Sequence, residues 1–345
     1  MIPSKTQYIG AWQWDSFFHA LAYMYVDQDL AENQLRIMLD HQRLDGLIPD
    51  AIHDEGVVTQ WPLPNSEDVV EVTKPPLIAW TALKLYSRLG NKDFLDEIYD
   101  ALSRWNAWWF EKNDDDQDGI IQYNHPYSSG LDDSPMWDEG MPVESPELNS
   151  YLVMSMDALA KIAEILGFSG EAQDWTRQAQ MLTEKILRHF WDAETGVFWA
   201  TRNHKPIRVL TPFSLYPLLT GRMPKPIEKE LVRHLFSKEE FWTDFPIPTV
   251  AKSDPRYEPD TMWRGPTWIN INYLFIDGLE RIGRRWEARR LRKKTLDLIM
   301  RNGDIYEYYN PETGRQCMRA ASVFGWSSAV FVDLAIRASR EAKEV

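Results

Sequence analysis

Eleven segments of this chain carry apolar residues at helical spacing, and they arrive mostly in pairs. That pattern restricts the chain to architectures built by stacking helical hairpins. The segments fall at about 17–24, 29–42, 73–90, 93–111, 145–167, 171–191, 214–219, 227–236, 268–281, 285–301 and 326–340. Their ends are punctuated as helices require. Asp15-Ser16 suits the N-terminus of the first, where a carboxylate meets unpaired N–H groups. Ser145-Pro146-Glu147 opens the fifth with a cap, a proline at the first helical position and an acid, and Gly167 closes it. No strand–helix alternation points to a parallel sheet and no linker divides the chain, so residues 1–345 are expected to form one domain. Helical hairpins of this kind close into an (α/α) barrel, with loops from one end forming a site. Six hairpins need twelve helices. The expected fold is therefore all-α, an (α/α)6 barrel one helix short at its N-terminus, with short β-hairpins in loops at 191–196 and 309–314.

Charge and composition narrow the partners. Fifty-two acidic against 38 basic residues leave a net charge of -14, which argues against nucleic acid and anionic membranes. The basic run from Arg284 to Lys294 lies opposite the stripe Ala288, Leu291, Thr295 and Leu298, so it reads as a solvated helix face. No apolar run reaches membrane-spanning length, the N-terminus lacks a signal peptide's apolar core, and Cys317 is the only cysteine. These features fit a soluble cytoplasmic protein without cofactor. The aromatic load is the unusual part, with 16 Trp, 14 Tyr and 14 Phe. Trp crowded into loops suggests a sugar platform, because flat apolar rings match the C–H faces of a pyranose.

Four loops between helices hold the candidate chemistry. One runs Ser128-Ser129-Gly130-Leu131-Asp132-Asp133-Ser134-Pro135-Met136-Trp137-Asp138, three carboxylates in a Gly/Ser/Pro setting. The others are Tyr8 to Asp15, Trp263 to Trp268 and Tyr306 to Pro311, the last a lone Glu307 among tyrosines. Each alone reads equally as a solvated turn or an aromatic loop packed on the core, and Asp15 as a helix cap. Together they supply two carboxylates among aromatics, which glycoside hydrolysis needs: one protonated to donate to the leaving oxygen, one ionised. Burial and the adjacent Asp133 would both raise the pKa of Asp132 towards the acid role. Asp114-x-Asp116-x-Asp118-Gly119 resembles the front of a calcium loop, but its twelfth position is His125 where a bidentate Glu belongs, so a tight turn is favoured. There is no HExxH, CxxC, phosphate loop or GxSxG, and the His are scattered.

These motifs carry a resemblance over nearly the whole chain. Trp12-x-Trp14-Asp15-Ser16, Ser129 to Pro135, Trp263-Arg264-Gly265-Pro266-x-Trp268, Glu307 to Gly314 and Phe324-Gly325-Trp326 stand in the order found in glycoside hydrolase family 63. The chain is most similar to the bacterial branch with mannosylglycerate and glucosylglycerate hydrolases, and more distantly to family 37 trehalases. The resemblance implies an (α/α)6 barrel and an inverting mechanism releasing glucose or mannose from a small α-glycoside. Asp132 matches the general acid and Glu307 the general base; Tyr8, Trp12, Trp14, Asp15, Trp263, Arg264 and Trp268 match the sugar subsite. Two positions depart from the pattern: Ser128 stands where Glu is frequent, and Lys74 where a Gln commonly precedes the Pro-Pro pair. No Arg and Gln match those that would hold a glycerate carboxylate. Two alternatives remain at this point, an (α/α)-barrel sugar isomerase or epimerase and a sugar-binding protein without activity.

Overall fold

Each of the eleven segments is helical in the computed structural model of the protein, which describes residues 1–343. Ten are α-helices: α1 (Gln13–Tyr23), α2 (Gln28–Leu39), α3 (Ile78–Leu89), α4 (Lys92–Lys112), α5 (Pro146–Leu166), α6 (Ser169–Phe190), α7 (Lys225–Leu235), α8 (Ile269–Arg281), α9 (Arg285–Met300) and α10 (Gly325–Glu341). The eleventh, Pro212–Thr220, is a 3-10 helix. Pro217 inside it has no N–H to donate, and its ring would crowd the carbonyl four residues back in an α-helix. Two starts differ from expectation. Helix α1 begins at Gln13 with Trp12 at the cap position, so Asp15 lies inside its first turn. Helix α3 begins at Ile78, because Thr73 and Lys74 are extended and bonded elsewhere.

The helices form a barrel. Helix α1 packs on α3, α3 on α5, α5 on the 3-10 helix, the 3-10 helix on α8, α8 on α10, and α10 returns to α1. Helices α2, α4, α6, α7 and α9 pack outside these six. Burial follows the layer. In α5 the buried positions run round the whole helix, whereas α6 buries a single stripe of Ala172, Ala179, Leu182, Thr183, Ile186 and Phe190. Each large apolar side chain in such a stripe contributes about 1.5–3 kcal/mol, so Leu182, Ile186 and Phe190 are the main anchors of α6 on the ring. No outer helix covers the joint between α10 and α1 among the described residues. There the Gly325 N–H donates to the Pro3 carbonyl at 2.8 Å. No helix among the described residues is long and apolar enough to cross a membrane.

Short strands tie together the segments that lead into the ring helices. Trp12 pairs with Ala51 just before α1. Gln122 and Tyr123 pair with Glu144 and Val143, closing the base of the loop that holds Asp132. Trp268 pairs with Tyr308, and Thr267 with Tyr309, so the loop of Glu307 is bonded to the Trp263–Trp268 loop. The expected hairpin at 191–196 is present, with Trp191-Asp192 paired to Val197-Phe198, and Tyr309 bridges to Gln316 across the turn at 310–314.

Candidate active site

Eight of the nine residues singled out from the sequence line one pocket, which spans about 420 Å3 including its mouth. The start of α1 brings Trp12, Trp14 and Asp15. Their placement is set from a distance, by the Trp12–Ala51 pairing and by the Gln13 N–H donating to the Asp50 carbonyl at 3.0 Å. Asp15 is 6 % exposed and its Oδ1 has no partner. The cap position belongs to Trp12, and Asp15 is the acid of the first turn. Burial pushes its carboxyl well above the usual range, with Lys74 opposing and Glu307 adding.

The acid loop is held by its own turn. Pro126–Ser129 is a 3-10 turn closed by Gly130 at φ +73°, where any Cβ would run into the Trp14 ring. The Leu131 N–H then donates to Ser129 Oγ at 2.9 Å, and Trp137 Nε1 to the Leu131 carbonyl at 2.7 Å. Asp132 is thus presented partly exposed at the pocket wall. Desolvation pushes its carboxyl up to about 6; Lys74 opposes this, while Asp50 and Asp133 add to it. Asp132 accepts no hydrogen bond among the described residues, and Asp133 instead accepts the Trp263 N–H at 2.8 Å.

Glu307 faces the same pocket from the opposite end of the chain and is buried. The Ala321 N–H donates to its Oε2 at 3.1 Å, and its own N–H donates to the Ala321 carbonyl at 2.9 Å. Burial pushes its carboxyl up to about 7, the Ala321 N–H and the Tyr8 phenol oppose this, and Asp132 adds to it. Glu307 thus has donors suited to an anion, while Asp132 has only the charge of Lys74, yet burial leaves Glu307 the more strongly raised of the two.

The rest of the pocket is aromatic. Trp263 and Trp268 stack with ring centroids 3.7 Å apart and planes 6° from parallel, and Trp268 Nε1 donates to the Met262 carbonyl at 2.8 Å. Trp14 lies beside Trp263, and Trp326 lies between Trp14 and Trp268. Tyr8 meets Trp12 and Phe324 edge-on. Trp12 Nε1, Trp14 Nε1, Trp326 Nε1 and Asp15 Oδ1, all on residues that line the pocket, are buried donors and acceptor without partners.

Arg264 is the exception among the expected subsite residues. Its guanidinium makes a two-pronged pair with Asp138 at 2.8 and 2.9 Å and donates to the Asp133 carbonyl at 3.1 Å, so it braces the two loops from behind the pocket. Sequence reasoning missed Met262, Phe324 and Trp326 as lining residues, and above all Lys74. The Phe324-Gly325-Trp326 motif marked the segment; Lys74 showed only as a lone cation before Pro-Pro. No His lines the pocket among the described residues. In the series considered for calcium, Asp114 accepts the Gly119 N–H at 3.1 Å and so closes the turn. Atoms of Asp116, Asp118, Glu144 and His204 lie within 4.8 Å of one another. A second space adjoins the pocket, sharing Tyr8, Met262 and Glu307, and is walled by Gln7, Asp133, Asp260, Tyr308 and Arg319.

Known proteins resemble this chain in sequence and fold. Residues 8–327 match the family model described as mannosylglycerate hydrolase MGH1-like glycoside hydrolase domain. The mannosylglycerate hydrolase of Thermus thermophilus is 26% identical, with 95% of each chain covered. The glucosylglycerate hydrolase of Mycolicibacterium hassiacum is 24% identical, with 92% of each chain covered. The crystal structure of a GH63 mannosylglycerate hydrolase from Thermus thermophilus in complex with Tris and D-glycerate superposes with a TM-score of 0.85 at 23% identity, over 97% of this chain and 95% of that one. The chain therefore belongs to the MGH1-like mannosylglycerate hydrolase family of glycoside hydrolases.

Proposed function

We propose that this glycoside hydrolase cleaves a small α-mannoside or α-glucoside with inversion, using Asp132 as general acid and Glu307 as general base. The observation that carries the reading is the pair itself: two carboxylates from loops far apart in sequence, both raised, facing one pocket of Trp rings and unpartnered polar atoms. The sugar lies against the Trp rings, and Asp15 accepts from its hydroxyls. Asp132 donates its proton to the glycosidic oxygen as the C1–O bond breaks. A water on the opposite face gives its proton to Glu307 as its oxygen bonds to C1, so the product carries the inverted anomeric centre. The relatives are named for glycosides of glycerate, but the adjoining space sets Asp133, Asp260 and Glu307 against its one cation among the described residues, Arg319, which weighs against a strongly acidic aglycone there. The framework is an (α/α)6 barrel with one outer position unfilled, a single catalytic domain. The pocket has no His pair to shuttle protons among the described residues, which weighs against the isomerase alternative.

A hydrolysis screen over mannosylglycerate, glucosylglycerate, trehalose, kojibiose and nigerose tests the reading, with the first-formed anomer read by NMR. Release of the β-anomer from at least one α-glycoside is expected. Release of the α-anomer, or no hydrolysis of any, overturns it.

A further inference from the structure

Lys74 lies in the segment between the strand Val69–Glu71 and α3, and among the described residues it is the only cation lining a pocket that also holds Asp15, Asp132 and Glu307. Its side chain is 8 % exposed, a costly setting for an ammonium unless it is paired. Two contacts compensate. Nζ sits 2.9 Å from Asp50 Oδ1, whose side chain is 1 % exposed, and it donates to the Tyr127 carbonyl at 2.6 Å. The neighbouring Thr73 reinforces the same junction: its Oγ1 donates to the Ile48 carbonyl at 2.7 Å and its N–H to Ser128 Oγ at 3.3 Å. Residues 73 and 74 therefore staple the segment of Asp50, which also receives the Gln13 N–H, to the turn that ends at Gly130, two residues before Asp132.

We propose that Lys74 is a positioning residue for the hydrolysis, clamping the Asp132 loop to the Asp50 segment and supplying the single positive charge in an acidic pocket. The inference rests on Asp132 being the acid. The charges around Lys74 are Asp50 from the segment before α3, Asp15 from α1, and Asp132 from the acid loop, with the neutral Tyr127 and His125 beside it. Glu307 and Tyr8 complete the pocket from the other side, and Asp133 flanks the acid. Lys74 favours the ionised form of Asp132, and it is not among the groups that act on Glu307. The sign follows. Without the ammonium, Asp132 holds its proton to higher pH, and the pH profile of any substrate that needs protonation moves up.

The test compares wild type with Lys74→Gln and Lys74→Arg, measuring kcat/KM against pH on mannosylglycerate and on an α-mannosyl fluoride, whose leaving group needs no acid. Lys74→Gln is expected to shift the pH profile on mannosylglycerate upward, by up to about one pH unit in the limb that Asp132 sets. The fluoride profile should move much less, and Lys74→Arg should leave both near wild type. If Lys74→Gln cannot fold with Asp50 unpaired, the Asp50→Asn/Lys74→Gln pair leaves no buried charge. It should show a smaller shift of the same sign, since Lys74 outweighs Asp50 at Asp132. An unmoved limb in a folded variant, or an equal shift with Arg or on the fluoride, overturns the proposal. Failure of the underlying reading looks different: Asp132→Asn would then hydrolyse mannosylglycerate like wild type.

Discussion

The pH dependence of the reaction is where the two carboxylates can be told apart. Asp132 and Glu307 are pushed up to about 6 and about 7, and each feels the other, so they titrate as a pair. The productive form holds its one proton on Asp132 although Glu307 is the more strongly raised, so it is the less populated of the two singly protonated forms. kcat/KM on mannosylglycerate should therefore trace a narrow bell with its maximum roughly at pH 6.5, falling about tenfold for each unit beyond either limb. Asp132→Asn separates the contributions. General acid catalysis is worth about 10²–10⁴-fold when the leaving oxygen is basic, so the variant should lose that much on mannosylglycerate, about 3–5 kcal/mol of transition-state stabilisation. On α-mannosyl fluoride the loss should stay within about tenfold, and the alkaline limb should vanish because no proton donor is required. The acid limb should remain, since Glu307 must still be ionised to act as base. Profiles of both enzymes on both substrates from pH 4.5 to 9, with melting temperatures as a check on folding, decide the matter. Equal losses on the two substrates, or an alkaline limb persisting on the fluoride, would falsify the role given to Asp132.

Asp15→Asn should leave the melting temperature within a few degrees, since Trp12 holds the cap position, yet lower kcat/KM by about 3–100-fold through one or two lost hydrogen bonds to the sugar; unchanged kinetics would remove Asp15 from the subsite. Glu147, 1 % exposed, is pushed up by burial from 4.5 to about 8, with the Tyr123 hydroxyl and nearby backbone N–H groups opposing, so the folded state holds a proton that the unfolded chain releases. Its contribution is complete below pH 4.5 and is lost as pH rises towards 8, costing about 3 kcal/mol by pH 7 at roughly 1.4 kcal/mol per unit. Glu147→Gln should accordingly raise the melting temperature at pH 7–8 and not at pH 4.5, and a pH-independent effect in calorimetry would refute this account.

Local punctuation makes much of the fold legible. Ser145-Pro146 and Gly167 bound α5 where expected, because a proline at the first turn and a left-handed glycine act within a few residues of themselves. The start of α1 departs from expectation for the opposite reason. It is fixed by bonds from Trp12 and Gln13 to residues 50 and 51, which no local pattern announces. The site follows the same division. Asp132, Glu307 and the Trp residues are visible as motifs in loops between helices, and they meet. Lys74 is not visible as a site residue, because its burial depends on Asp50 and on a carbonyl 53 residues away. Arg264 keeps the motif but not the place, since Asp138 claims both prongs of its guanidinium.

The return of α10 to α1 has a consequence for how the molecule comes into being. The ribosome delivers the chain from the N-terminus at about 5–20 residues per second, so the roughly two hundred residues between Asp132 and Trp326 take about 10–40 s to emerge. Throughout that interval Trp14, and from their own emergence Trp263 and Trp268, lack the ring that later packs among them, and α1 lacks its closing neighbour. The nascent chain thus carries a stack of unshielded indoles, a hazard that chaperones address. It has no working pocket until Glu307 and then Trp326 have left the exit tunnel, and any message truncated before α10 yields a protein that is at once inactive and sticky.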